Sequence, residues 1–215
     1  MLMKHIALSI SLVVTSLVAS ATYLYSSHNT SSVLVAAEVE EVKTDTNQNI
    51  SIPKNLSTNQ HKLMSIAYDI AKQDGHKNPE IIQALLLQET HAGAMKSFRV
   101  ANPGKDAYFG LLQIKVGAAR DVLKKHPHLW EKYDFHTKSD DEIKANLILN
   151  DYFNLEIGSK YLLLLKNQYG FSGRRLMNAY NRGPTGVKRV DDTYHYAIGA
   201  EKKLAQYKAT KLSDI

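Results

Sequence analysis

Apolar residues recur at helical spacing along most of the chain beyond position 60. Leu63, Ile66, Ala67, Ile70 and Ala71 fall on one face of a helix, and Gly75 is placed to end it. Asn78-Pro79-Glu80 reads as a second start, with a capping side chain, proline at the first helical position and an acid in the first turn. Ile81, Ile82, Leu85 and Leu86 continue that helix, and Gly93 closes it. Ser139-Asp140-Asp141-Glu142 has the form of a capping box. Residues 154–168 put Leu155, Gly158, Tyr161, Leu162 and Leu165 on one face, with Gly170 after them. Ser172 caps a short helix through Tyr180, and a last helix covers residues 192–208. Residues 97–113 are less regular. Asn102-Pro103-Gly104 signals a turn there, so a small β-hairpin or an extended loop is expected. Strand alternation is not visible elsewhere. The pattern predicts a mainly α domain over residues 61–215 with little or no β structure.

The first sixty residues follow a different pattern. Lys4 precedes an uncharged, mostly apolar stretch over residues 6–21, and Ala19-Ser20-Ala21 has the small-x-small form of a cleavage site. The uncharged stretch continues through Tyr25, long enough to approach a membrane span. Residues 1–25 are therefore either a cleaved secretory signal or a retained anchor in the inner membrane. Both readings export the rest to the periplasm or cell envelope, because the early positive charge lies before the apolar segment. Residues 26–60 are rich in Ser, Thr, Asn, Gln, Glu and Val without sustained periodicity, which suits a flexible tether.

Composition narrows the chemistry. The chain has 215 residues, a net charge of +6 and no cysteine. That length gives one domain with a real core plus extensions. Disulfides, a thiolate nucleophile and cysteine-bound metals are excluded. A basic surface suits nucleic acid, an anionic membrane or an anionic polymer such as a cell-wall glycan. The positive charges are scattered, and no nucleic-acid-binding signature is present, so a nucleic-acid partner is not expected. No His-Glu-x-x-His occurs, and Pro127 interrupts the pair His126 and His128. No metal and no cofactor are expected.

Glu89 stands out against this background. It ends the run Ala84-Leu85-Leu86-Leu87-Gln88-Glu89-Thr90, in the last turns of the helix. Desolvation disfavours an ionised carboxyl and raises its pKa, and the helix C-terminus acts in the same direction. Such a group suits an acid that must hold its proton near neutral pH. Two further stretches follow: Gly110-Leu111-Leu112-Gln113-Ile114 and Ala179-Tyr180-Asn181-Arg182-Gly183-Pro184.

Taken in order, these three stretches resemble the lytic transglycosylases of the soluble-type, goose-lysozyme-like superfamily. That family shows Glu-Ser, then Gly-Leu-Met-Gln, then Ala-Tyr-Asn-x-Gly. The resemblance covers residues 63–207. It implies a lysozyme-like domain that cleaves peptidoglycan glycan strands with one catalytic carboxyl. By that resemblance, Glu89 protonates the leaving glycosidic oxygen and then acts as base on the C6 hydroxyl of the same N-acetylmuramic acid. Gln113 would place an amide near substrate. Thr90, Tyr108, Tyr180, Asn181 and Tyr196 are the remaining candidate substrate contacts, with Tyr180 expected to bond Glu89 or the N-acetyl group.

The chain also departs from the family pattern. Glu-Ser becomes Glu89-Thr90, which keeps a hydroxyl. The small residues before the glutamine motif become Asp106-Ala107-Tyr108-Phe109-Gly110, so an aromatic ring stands where the family has alanine. Asp192-Thr193-Tyr194-His195-Tyr196 resembles the family's Glu-Thr-x-x-Tyr. Asp106 keeps a second reading open, a lysozyme-type hydrolase with two carboxylates. A third reading is a catalytically idle glycan-binding or secretion-assembly protein.

Overall fold

The computed structural model describes residues 56–95, 99–100, 107–187 and 194–213. The N-terminal segment 1–25, most of the tether, the turn at 102–104 and Asp106 lie outside the described residues.

The described chain is mainly helical. Its order is α1 (Thr58–Gln73), α2 (Glu80–Thr90), β1 (Arg99–Val100), β2 (Ala107–Tyr108), α3 (Val116–Lys125), α4 (His128–Lys132), α5 (Asp140–Leu149), α6 (Asp151–Tyr169), α7 (Gly173–Val187) and α8 (His195–Ser213). The two short strands pair antiparallel, Arg99 with Tyr108 and Val100 with Ala107, so the irregular stretch is a small hairpin. Among the described residues no helix is long and apolar enough to cross a membrane.

Local signals account for most helix ends. Ser57 caps α1, and Gln60 completes a reciprocal capping box. The helix thus begins within the segment that composition alone reads as tether, and Leu56 is already buried. The box expected at Ser139 is half formed. Ser139 accepts from the Glu142 amide, but the Glu142 carboxylate turns back to the amides of His136, Thr137 and Lys138. Those donors hold its pKa down to about 2. At α2 the expected Asn78 cap is replaced by Pro79 at the cap position, with no side-chain hydrogen bond. Helix α2 ends through His91 and Ala92, both at positive φ, immediately before the glycine expected to stop it. Helices α3 and α4 lie in a region for which the sequence pattern specified no element.

Helices α2 and α6 supply much of the core. Ile82, Leu85, Leu86 and Leu87 are fully buried, as are Leu155, Ile157, Leu162 and Leu165. Each such side chain contributes about 1.5–3 kcal/mol through burial. A polar cluster fastens the end of α1 to α6. Asp74 accepts from the Ser159 hydroxyl and from Lys160 Nζ, both at 2.6 Å, and a His76 ring nitrogen lies 3.1 Å from the Ser159 hydroxyl. Serine, histidine and aspartate meet here, but Ser159 is fully buried. Its hydroxyl donates to Asp74 and reaches no solvent, so the cluster is a clamp and not a nucleophilic site.

Candidate active site

The loop between β2 and α3 is built first, because the site depends on it. Phe109 and Ile114 exchange backbone hydrogen bonds of 3.0 Å, closing residues 110–113 into a tight turn. Gly110 sits at φ +73°, and a Cβ there would drive into the Leu147 carbonyl and the Asn154 amide. Asn154, fully buried on α6, holds the turn from beneath. Its Oδ1 accepts from the Leu112 amide at 2.8 Å, and its Nδ2 donates to Phe109 and Leu147 carbonyls at 3.0 Å. Gly158, one turn along α6, lets Leu112 approach, since a Cβ there would overlap Leu112 Cδ1.

The turn presents Gln113. This residue is itself at positive φ, and its side-chain amide donates to the Gly110 carbonyl at 2.8 Å. Leu111 and Leu112 are fully buried. Thr90 proves to belong to this scaffold. It is fully buried, and its hydroxyl donates to the Leu111 carbonyl at 2.8 Å. It ties the end of α2 to the turn.

Glu89 lies in the last turn of α2 and is 7% exposed. The Tyr196 hydroxyl, on α8, donates to its Oε1. Tyr180 takes a different partner from the one expected. Its hydroxyl donates to the Leu112 carbonyl at 2.8 Å. Burial pushes the Tyr180 pKa far up, and the negative charge of nearby Glu89 adds to the shift. Tyr161, with its ring centroid 5.7 Å from that of Tyr180, is pushed up to about 12 by burial. Both phenols therefore stay protonated at neutral pH.

Tyr108, Gln113, Tyr180 and Asn181 line one cleft, with Tyr161, Lys115 and Arg182. The cleft encloses about 100 Å³. Glu89 is not among its lining residues; it pairs with Tyr196 and comes near the cleft through Tyr180. Asn181 is exposed, just before Gly183 breaks α7 with a non-helical φ of 74°. Lys115 Nζ lies 5.0 Å from the centre of the Tyr108 ring.

Several of these residues were not singled out from sequence. Asn154 is a polar residue at the head of an apolar helix face, and its distance from Gly158 by one turn was the available signal. Lys115 directly follows the Gly110-to-Ile114 stretch, and Arg182 lies within the Ala179-to-Pro184 stretch. Trp130 packs edge-on against Phe135 with centroids 4.8 Å apart, at the margin of the core. Among the described residues no group of three or more His, Cys, Asp or Glu side chains is arranged to hold a metal ion.

The Tyr196 contact gives a direct test. A hydroxyl donated to a carboxylate favours its charged form and opposes the effect of burial. Tyr196→Phe is therefore expected to raise the pKa of Glu89, measured by carbon-13 NMR titration of the free protein. An unchanged or lower value would mean that Tyr196 does not hold the carboxylate.

No protein-family model, curated protein or solved structure matches the chain.

Proposed function

We propose that this chain is a peptidoglycan lytic transglycosylase with a lysozyme-like domain. The reading is carried by one observation above the others. Glu89 is a buried carboxyl held by a tyrosine hydroxyl and near Tyr180, which lines a cleft with Gln113 and Asn181. The three stretches that resemble the family thus meet in space, although they are far apart in the chain.

The chemistry follows from one acid. Protonated Glu89 gives its proton to the glycosidic oxygen between N-acetylmuramic acid and N-acetylglucosamine, and the C1–O bond breaks. The carboxylate then takes the proton of the C6 hydroxyl as O6 bonds to C1. The product is a 1,6-anhydro-muramic end, water is not consumed, and Glu89 regains its proton. Gln113 and Asn181 offer amides to the sugar, and Tyr108 offers an aromatic face. Peptidoglycan lies outside the cytoplasm, in keeping with the exported or anchored N-terminus read from the sequence.

Digestion of purified murein, followed by mass spectrometry, tests the reaction. Fragments ending in 1,6-anhydro-N-acetylmuramic acid, one water lighter than hydrolytic fragments, are expected. Reducing muramic ends as the main product, together with loss of activity in Asp106→Asn, would favour a two-carboxylate hydrolase.

A further inference from the structure

We infer that the cleft lined by Tyr180 selects glycan carrying carboxylates, through Lys115 and Arg182. The inference rests on the glycan-cleaving reading above and names the form of glycan that the site prefers. Both cations line the cleft that also holds Tyr108, Gln113, Tyr180 and Asn181. Lys115 opens α3 directly after the turn, with its ammonium over the Tyr108 ring. Arg182 is exposed, between Asn181 and the break at Gly183.

A neutral sugar needs neither cation. Hydroxyl and N-acetyl groups are served by amides and an aromatic face, which this cleft already has. Two positive groups on one polar cleft raise the local concentration of anions. The arginine fork matches the two oxygens of a carboxylate, while lysine supplies a point charge. On a muramic residue the carboxylate has two sources. It is the lactyl carboxylate where the peptide has been removed, or a carboxylate of the attached stem peptide.

The test is binding by full-length Glu89→Gln, which removes the titrating proton of the cleavage step. Three oligosaccharides of equal length are compared: a neutral N-acetylglucosamine oligomer, peptide-free murein glycan and peptide-bearing murein glycan. A carboxylated ligand is expected to bind roughly tenfold more tightly than the neutral one, since hydrogen bonds to charged groups are the stronger kind. The preference should shrink as salt is raised. If only the peptide-free strand shows the preference, the lactyl carboxylate is held; if only the peptide-bearing strand shows it, the stem is held; if both show it, the two cations take either carboxylate. Adding Lys115→Gln and Arg182→Gln together should bring the ratio close to one, and each alone should lower it part of the way. Thermal unfolding of each variant checks that the domain is intact. A ratio near one before the cations are removed, or a ratio that survives their removal, overturns the inference and leaves the proposed reaction standing. Failure of Glu89→Gln to bind any of the three overturns both.

Discussion

Glu89→Gln is expected to abolish wall cleavage while leaving the domain folded. The substitution keeps the shape of the side chain, and an amide oxygen can still accept the Tyr196 hydroxyl that Glu89 accepts. What it removes is the proton that, in the proposed reaction, reaches the glycosidic oxygen. Loss of a positioned acid–base group costs roughly 10²–10⁴-fold in rate, and in the proposed reaction the same group serves both halves. Stability should not fall with activity. Glu89 is 7% exposed, so its charged form is poorly solvated, and a neutral amide relieves that cost. The melting temperature of Glu89→Gln is therefore expected to equal or exceed that of the parent. Turnover by folded Glu89→Gln near the parent rate would sink the assignment of the acid. A large drop in melting temperature would recast Glu89 as part of the fold.

The sequence carried the apolar skeleton well, because buried helical faces leave a period that does not depend on their partners. The faces of α1, α2 and α6 could be read that way, and so could Glu89 in the last turn of α2. Polar residues that work through distant partners were harder. Thr90 next to Glu89 suggested a substrate hydroxyl, yet it donates to Leu111 from a fully buried position. Tyr180 seemed suited to Glu89, but the turn brings the Leu112 carbonyl to it first. Nothing local to either residue encodes that choice. It depends on how close α6 lets the turn come, which Gly158 and Asn154 decide from a different part of the chain. Helices α3 and α4 were missed for a related reason. They are short, and His126-Pro127 interrupts the pattern between them.

Asn154→Ala is expected to destabilise the domain by about 3–5 kcal/mol, because one buried side chain meets three backbone groups at once. Its Oδ1 takes the Leu112 amide, and its Nδ2 serves the carbonyls of Phe109 and Leu147. Truncation strands the Leu112 amide, which is the costly loss. The Phe109 carbonyl keeps the Ile114 amide as a second partner, so its share is smaller. Gly110 also packs on Asn154, and the turn carrying Gln113 would lose its floor. A loss of that size is a large part of the roughly 5–15 kcal/mol that holds a domain together. It should appear as a marked fall in the urea midpoint. Asn154→Asp separates the hydrogen bonds from the packing. The carboxylate keeps the acceptor for Leu112 but turns a charge toward two carbonyl oxygens in a buried site. Its folded pKa would then lie above the unfolded value of roughly 3.9. Folding of this variant is accordingly most favourable below that unfolded pKa and weakens as pH rises through the folded one. The expected result is an Asn154→Asp protein whose deficit relative to the parent narrows on acidification, while that of Asn154→Ala does not. Unfolding free energies for Asn154→Ala within about 1 kcal/mol of the parent, the scale of one ordinary hydrogen bond, would show that the turn stands without its support.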